Sequence, residues 1–562
     1  MANRRQQAFP LPIPAPVGGL NTRDALAAMP PGDASVMLNV FPYADRVETR
    51  AGYTTFATAA TTDPGGGLLA VEGFRTLMEW AAKGSTQALG AYYWGENVAG
   101  VVKTRLRIYL INDNGTLTNS REAVTLASTN TLSSLGEWTQ FTAASGTSYL
   151  VIPVTINNGA ETFTPQAYDG TNWTAPAITG VPAGTAGSHS HQGRLWFYGS
   201  VDTTNAPKGL SAWYLPTGAI AGAATGFNIG PYASKGGTIV SMRTWTADGG
   251  TGGSDDRAVF VTDQGQAVIY AGTDPATSAT WALVGVFDIG RPASSFPYVG
   301  SGALPAWVTR DAVAMKYGAD LLLLLDDGVS TASGVLGGRE PGKDYSISSK
   351  IRPSFTDAAL SSARARPWKM VFLPTRRQLI ATLAATITYT SPPSGIATSK
   401  VTSCTWFVMN TETGAWTQFD SMNVLDARPY EDHLYFIDGG SSVYKYGSAT
   451  DDSGADMVFD VRQAYNYMGS PVNKLATLMQ PMLRATGNFQ LTAEADADFS
   501  AGTISAYSTY TVASAQNLQP WISPAKYGRA FAPHLKGKVV ASAGGVLSWY
   551  STNWIAKHAG LI

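Results

Sequence analysis

From about residue 65 to residue 460 the apolar residues come in runs of strand length, and turn formers close nearly every run. Short runs rich in β-branched and aromatic residues, bounded by Gly, Asp or Asn, are strands. Arg105–Ile111 alternates in polarity, residues 112–115 (Asn-Asp-Asn-Gly) turn the chain, and Thr116–Thr118 resumes it. Gly193–Tyr198 is another strand. Ala258–Thr262 and Gln266–Tyr270 flank the turn Asp263–Gly265, and His433–Ile437 and Ser441–Tyr446 flank Asp438–Gly440, so each pair predicts a hairpin. Leu321–Leu325, the densest apolar run, ends in Asp326-Asp-Gly328 and predicts a buried strand and its turn. It is far short of the roughly 20 residues that cross a bilayer as a helix. Phe74–Lys83 and Asp311–Ala319 space their apolar residues almost helically, but glycines and aromatics follow at once, and both are read as strands.

A tryptophan recurs ahead of these strands. Tyr168–Trp173 precedes Leu195–Phe197, Thr411–Trp416 precedes Leu434–Phe436, and Gly136–Trp138 precedes Ser148–Ile152; Trp281 and Trp307 also stand before apolar runs. A turn, a Trp, a loop and an apolar strand, repeated every few tens of residues, is the pattern of propeller blades, which bury their faces only by stacking round an axis. Thr411–Tyr446 resembles a kelch blade, although its glycine pair falls in the hairpin turn. Composition agrees with an all-β chain. Aromatic residues make up 11% and charged residues 14%, against roughly 25% charged in an average soluble chain. The expected fold is a β-propeller-like domain over residues 61–455, with a β-sandwich as the alternative.

The two ends read differently. Pro10, Pro12, Pro14 and Pro16 fit neither a helix nor a central strand, so residues 1–60 are expected to form an irregular, extended N-terminal arm with one helical turn at Asp24–Met29. Residues 456–562 are expected to form a small C-terminal β-domain, entered through the loop Asp451–Asp456. Its strands would include Val458–Arg462, Met479–Leu483, Phe489–Ala493, Lys538–Ala541 and Val546–Tyr550.

Several function classes are disfavoured. The net charge is −1, whereas proteins that grip nucleic acid by its phosphates carry a basic excess. The one cysteine, Cys404, forms no intrachain disulfide and reads as a small buried hydrophobe, in keeping with assembly in a reducing cytoplasm. The proline-broken N-terminus lacks the apolar core of a secretory signal, so a soluble chain is expected. There is no Gly-x-Ser-x-Gly elbow, His-Glu-x-x-His, phosphate-binding Gly-x-x-x-x-Gly-Lys loop, Cys-x-x-Cys pair or sialidase Asp box. No enzyme, no cofactor and no metal are expected on this reading.

Four groups of residues invite a functional reading. His189 and His191 would share one strand face, which suits a metal only with a third ligand; a polar turn is the simpler reading. Glu494, Asp496 and Asp498 alternate with alanines, so a strand would place three carboxylates on one face, either lining a channel, holding Ca²⁺ or simply facing water. Asp248, Asp255 and Asp256, in the glycine-rich loop Ala247–Asp256, form a second candidate acidic, channel-facing strip. Arg364, Arg366, Lys369, Arg376 and Arg377 gather around Trp368 in sequence, as a contact for DNA or an acidic neighbour, or as an ordinary solvated face.

One stretch resembles a known family. Val17–Thr22 (Val-Gly-Gly-Leu-Asn-Thr), Asp24, Met29–Gly32, Ala34, Leu38-Asn39, Phe41-Pro42 and Val47–Tyr53 are similar to the opening of the nozzle proteins (tail tubular protein B) of short-tailed bacteriophages. They are similar also to tail stabilisation proteins that close the DNA channel. Ile108-Tyr109, Trp138–Phe141, Tyr168–Gly170, Tyr467–Gly469 and Gln490–Phe499 fit more loosely. The resemblance implies a virion tail protein assembled in the host cytoplasm, six copies forming a ring that carries β-propellers beneath the tail adaptor. Its implied partners are the other five copies, the adaptor ring, tail fibres or spikes, double-stranded DNA in transit and the host envelope at the tip. On that view Gly18, Gly19, Leu20, Asn21, Arg50, Gly52 and Tyr53, with Arg364, Arg366, Arg376 and Arg377, are candidate subunit contacts. Long family members carry large inserted platform domains, and this chain is too short for all of them, so a fibre-docking surface carried by such insertions is not assumed.

Two other functions remain open on the sequence. A carbohydrate-binding propeller that recognises a receptor would stack its many Trp and Tyr on sugars. A glycan-cleaving propeller would need two carboxylates some 5–10 Å apart in a cleft, and the sequence displays no recognisable pair.

Overall fold

A computed structural model describes residues 9–59, 68–82, 85–98, 101–125, 131–157, 160–200, 208–248, 254–293, 313–337, 346–361, 368–390, 398–500, 508–541 and 544–558. The chain is almost all β, arranged as a β-propeller with a long sheet beside it. Among the described residues no helix is long and apolar enough to cross a membrane.

The blades are antiparallel meanders that follow one another along the chain. Leu68–Ala82, Ser85–Val98, Val101–Ile111 and Leu117–Thr125 form one; Thr139–Thr142, Ser148–Ile152, Gln166–Tyr168 and Trp173–Thr174 form the next. Thr185–His191, Arg194–Ser200, Ser211–Tyr214 and Thr225–Asn228 come third, then Ile239–Asp248, Ser254–Thr262, Gln266–Gly272 and Trp281–Asp288. A three-stranded meander, Ala314–Tyr317, Asp320–Leu325 and Gly328–Thr331, precedes Lys369–Leu373, Gln378–Thr390, Thr398–Asn410 and Trp416–Phe419. Asp426–Tyr430, His433–Ile437 and Ser442–Ala449 make the last meander, and its fourth strand is Gly52–Thr58 from the far end of the chain. The first strands touch from blade to blade, and Asp426–Tyr430 packs back onto Leu68–Ala82, which closes the ring.

Apolar cores between successive blades hold the ring together. Between the third and fourth meanders Trp196 stacks on Trp281 at 5.9 Å and Trp281 on Tyr270 at 5.6 Å. Three of the recurrent tryptophans have a common place: Trp173, Trp281 and Trp416 are all buried on the last strand of their meander, whereas Trp138 precedes the first strand of its own. The repeat seen in the sequence therefore straddles two blades. The expected hairpins at Asp263–Gly265 and Asp438–Gly440 are present, Leu321–Leu325 is fully buried, and Phe74–Lys83 and Asp311–Ala319 are strand over most of their described residues. Trp307 lies outside the described residues.

The N-terminal segment departs from the expected irregular arm. Phe9–Pro14 pairs with Val546–His558, and its alternate prolines sit on an edge strand, where a missing N–H costs least. Asp33–Leu38 pairs with Met457–Gln463 on one side and, through Leu38, with Gln418 on the other. The sheet consequently runs unbroken from the Lys369–Phe419 blade through the N-terminal strand into the C-terminal strands. Asp24–Met29 contributes a single turn closed by Ala28 N–H on the Ala25 carbonyl. In the C-terminal region Met479–Leu483 and Phe489–Ala493 are one strand, Lys474–Ala497. Gly487, at φ +75°, lies at a register shift inside this strand and makes no turn.

A buried guanidinium fastens this weld. Arg50 donates to both carboxylate oxygens of Asp452 (2.8 and 2.6 Å), to Asn39 Oδ1 (2.8 Å) and to the carbonyls of Ala51 and Asp420 (2.9 and 3.0 Å). Its side chain has no solvent exposure, and that of Asp452 only 3%. Removing one partner of a buried pair strands the other charge. Asp452→Ala is expected to lower stability by about 3–5 kcal/mol, whereas Arg377→Ala, at the exposed pair with Glu412, should cost about 0–1 kcal/mol; the urea midpoints of the two variants check the contrast.

Candidate functional site

The innermost strands bring charged side chains to the propeller axis. Glu137, Arg243, Lys316, Lys369 and Arg428 line a cavity of about 300 Å³, with Met315, Met370 and Phe372 as apolar wall. Five different blades supply the charged groups. Arg243 is fixed by its Nε on the Ala314 carbonyl (3.0 Å) and its Nη1 on the Met242 carbonyl (2.8 Å), and its Nη2 meets Glu137. The Tyr198 hydroxyl donates to the other Glu137 oxygen at 2.6 Å. Burial works against the charge on Arg243, but Glu137 and Tyr198 outweigh it and raise its pKa. Burial, then Glu137, push the Tyr198 hydroxyl well above the usual phenol range, so it stays a donor.

Across the cavity Lys369 bonds to Asp426, whose other oxygen accepts Thr76 Oγ1–H (2.7 Å) and the Leu77 N–H (2.9 Å). Burial raises the Asp426 carboxyl, and Lys369 and Arg428 more than offset it, holding it below the usual carboxylate range. The Arg428 guanidinium lies 5.2 Å over the Trp138 ring. Sequence reasoning missed Glu137, Arg243, Asp426 and Arg428 because they are spread over nearly 300 positions. No shared local signal marks them: Asp426 heads its strand, Arg243 lies in the middle of one, and Glu137 precedes one.

The residues singled out from the sequence fare differently. The three-carboxylate strip does not form. Asp496 is fully buried, with His534 Nδ1 at 3.2 Å and Arg462 at 3.8 Å, and the other ring nitrogen of His534 is 2.8 Å from Asp460. Asp498 lies beyond the strand end at φ +47° and accepts the N–H groups of Arg529 (2.7 Å) and Ala530 (3.2 Å). Glu494 is half-buried in the strand, opposite His534. His534 and Arg462 pack over Asp496, so alternation did not give an open acidic face. The described ends of Ala247–Asp256 pair with each other, Ala247 with Asp255 and Asp248 with Ser254, and residues 249–253 lie outside the described residues. Asp256 accepts Thr246 Oγ1–H across the hairpin at 2.8 Å, and the side chains of Asp248 and Asp255 lie outside the described residues.

The family-like N-terminal residues are internal. Leu20, Asn21 and Arg50 are each at most 3% exposed, which corrects the expectation that they contact another subunit. Asn21 donates to Asp24 and Asp33 (2.8 Å each), and Lys350 reaches Asp33 at 2.9 Å. Gly18 packs against Asp33, and Gly19, at φ +84°, leaves no room for a Cβ, which would lie 2.7 Å from the Trp416 backbone. At Gly52 a Cβ would meet the Asp451 carbonyl at 1.8 Å. Tyr53 packs edge-on against Phe436 and Tyr444. The expected basic cluster is dispersed. Lys369 faces the axis, Arg376 donates to the Gly447 carbonyl (2.7 Å), Arg377 pairs with Glu412 at the surface, and Trp368 is fully buried. Arg364 and Arg366, and the side chain of Cys404, lie outside the described residues. His189 and His191 both meet Thr244 Oγ1 (3.1 and 2.9 Å), and burial drives the first well below the usual imidazole range and the second to about 4. Among the described residues no three metal-ligating side chains converge.

No protein-family model matches the chain, and no curated protein matches it. Among solved structures it is similar to a glycoside hydrolase family 43 arabinoxylan arabinofuranohydrolase from Bacillus subtilis. That match has 9% identity and a TM-score of 0.25, over 90% of this chain and 99% of that one. It is similar also to a putative 6-phosphogluconolactonase from Bacteroides fragilis, with 11% identity and a TM-score of 0.33, over 72% of this chain and 92% of that one. At these scores neither match assigns an activity or a substrate. The expectation that the chain is no enzyme is nonetheless withdrawn, because a glycoside hydrolase stands among the structures it resembles.

The His534 cluster carries a pH dependence. Burial disfavours the imidazolium, but Asp460 and Asp496 outweigh it and lift the group to about 9. A raised pKa means that the stabilisation is complete below the unfolded imidazole's value of about 6.5 and fades as pH rises through about 9. Thermal unfolding followed across that window should show the melting temperature falling, and His534→Gln should flatten the fall.

Proposed function

We propose that this chain is a structural component of a short bacteriophage tail, six copies of which form the nozzle ring through which the genome leaves. The observation that carries the reading is the resemblance at Val17–Tyr53, together with the place of those residues in the fold. They contribute to the polar joint between propeller and C-terminal sheet.

The surface supports assembly. Val472, Phe499, Trp521 and Tyr527 are 48, 37, 54 and 68% exposed, and all belong to the C-terminal sheet or its loops. Tyr527 lies on the edge strand Lys526–Gly528, which pairs with Lys474–Ala476; Ile522, next to Trp521, bridges to Met479; and Gly528 adjoins Ala497 and Asp498, beside Phe499. Large apolar side chains gathered at one exposed edge mark an interaction surface, and a neighbouring copy is the occupant a closed ring provides.

The test is single-particle imaging of purified tails and of the chain mixed with tail adaptor. A six-fold ring is expected with the native chain. The double variant Trp521→Ser, Tyr527→Ser should melt as the native chain does and fail to enter rings. Rings of another multiplicity, or normal incorporation of the double variant, would overturn the reading.

A further inference from the structure

A closed ring of more than two copies joins two different patches on each copy, because only a two-fold contact uses one patch twice. The Trp521–Tyr527 edge can be only one of the two. Among the described residues the exposed large apolar side chains away from it are Tyr232, Leu283, Val284, Leu360 and Val458. Leu360 and Val458 stand singly, on Arg352–Ser361 and Met457–Gln463. Leu283 and Val284 stand together on Trp281–Asp288, the outer strand of the fourth meander, 37 and 43% exposed. Tyr232 joins them: its ring lies 6.3 Å from that of Tyr270, which pairs with Leu283 in the sheet.

This edge is open. Among the described residues Trp281–Asp288 pairs with Gln266–Gly272 on one side and with no strand on the other. Open edges are commonly guarded by lysines or prolines; this strand has neither, and its one charged residue is Asp288, at the end. A register shift against Ile269 and Tyr270 leaves Val284 unpaired, and a bulge of this kind re-aims side chains. The fold itself shows what such an edge accepts. In the Lys369–Phe419 blade the last strand, Trp416–Phe419, also begins with a buried Trp, and it takes a further segment: Leu38 pairs with Gln418, and the Asn39 N–H donates to the Gln418 carbonyl at 2.8 Å.

Charge selects the occupant. The Asp288 side chain is 64% exposed, and it meets Lys235 (3.1 Å) and Gln266 Nε2 (3.2 Å) through Oδ1 alone, which leaves Oδ2 to accept from outside. On the other patch Lys526 and Arg529 flank Tyr527. Among the described residues neither has an ion pair, and the guanidinium of Arg529 reaches only Asn473, at 3.4 Å. An apolar strip that ends in a carboxylate thus matches an apolar strip flanked by two cations.

We propose that Trp281–Asp288 is the seat on which the Trp521–Tyr527 edge of a neighbouring copy docks, with Asp288 Oδ2 opposed to the partner's Lys526 and Arg529. The inference rests on the hexameric-ring reading and adds to it the second half of the contact.

Cross-linking in assembled tails tests it. A chain carrying Leu283→Cys and Tyr527→Cys, in a Cys404→Ser background, should give with a short bis-maleimide a ladder of covalent species of up to six copies. Either cysteine alone should give none. Leu283→Ser with Val284→Ser should melt as the native chain does and fail to enter rings, while Leu360→Ser, outside both patches, should enter normally. Six-fold rings that form without the 283–527 cross-link, or that admit the double serine variant, would overturn the proposed contact and leave the ring reading standing. A cross-link between two chains that carry only Leu283→Cys would overturn it as well, since it shows a two-fold contact. A native chain that forms no ring sinks both.

Discussion

Arg50 uses all five of its N–H donors inside the protein: two on Asp452, one on Asn39 and two on backbone carbonyls. These partners come from separate parts of the chain. Asn39 belongs to the N-terminal strands, Asp420 follows the Trp416–Phe419 strand, and Asp452 stands at the entrance to the C-terminal sheet. The carboxylate alone would not make a buried guanidinium favourable, since desolvation rivals the attraction between the charges. The complete set of hydrogen bonds makes it tolerable, and the completeness fixes the geometry: a guanidinium is a rigid planar fork, so its partners have one arrangement that satisfies it. The meeting of propeller and sheet is thereby held by direction as well as by apolar contact.

Much of the propeller was legible because its signals are local. The hairpin at Asp263–Gly265 is specified by the turn residues and the apolar runs on either side, and Leu321–Leu325 is buried on both faces, as an unbroken apolar strand should be. The recurrent Trp marked the ends of three meanders, at Trp173, Trp281 and Trp416, while Trp138 stands at the entry of the meander that Trp173 closes. What it could not give was the phase, since Trp173 and Trp416 close one blade while the strands that follow them belong to the next. The ends of the chain were less legible for the opposite reason. Phe9–Pro14 has no strand pattern of its own and becomes a strand because Val546–His558 lies beside it, more than 500 positions away.

The acidic strip illustrates a limit of alternation. Spacing by two places Glu494 and Asp496 on the same side of a strand, but it does not say what packs over that side. His534, Arg462 and Asp460 do so, and turn an apparent solvent face into a buried ion cluster. The axial cavity shows the converse. Lys369 was read with its sequence neighbours, yet its partner is Asp426, and its companions Arg243 and Lys316 come from other blades. Charge that converges through the symmetry of a ring leaves no cluster in the sequence.

The strand Gly52–Thr58 completes a blade whose other three strands end at Ala449, and Phe9–Pro14 waits for residues near the very end. During synthesis these strands are thus made well before the partners they pair with. The intervening blades can stack as they emerge, each on its predecessor, but the circle stays open until the Asp426–Ala449 strands are made. Such long-range closure is slow, because the loop entropy must be met before the contacts form. A nascent chain of this design therefore presents an unpaired strand edge until those distant partners emerge.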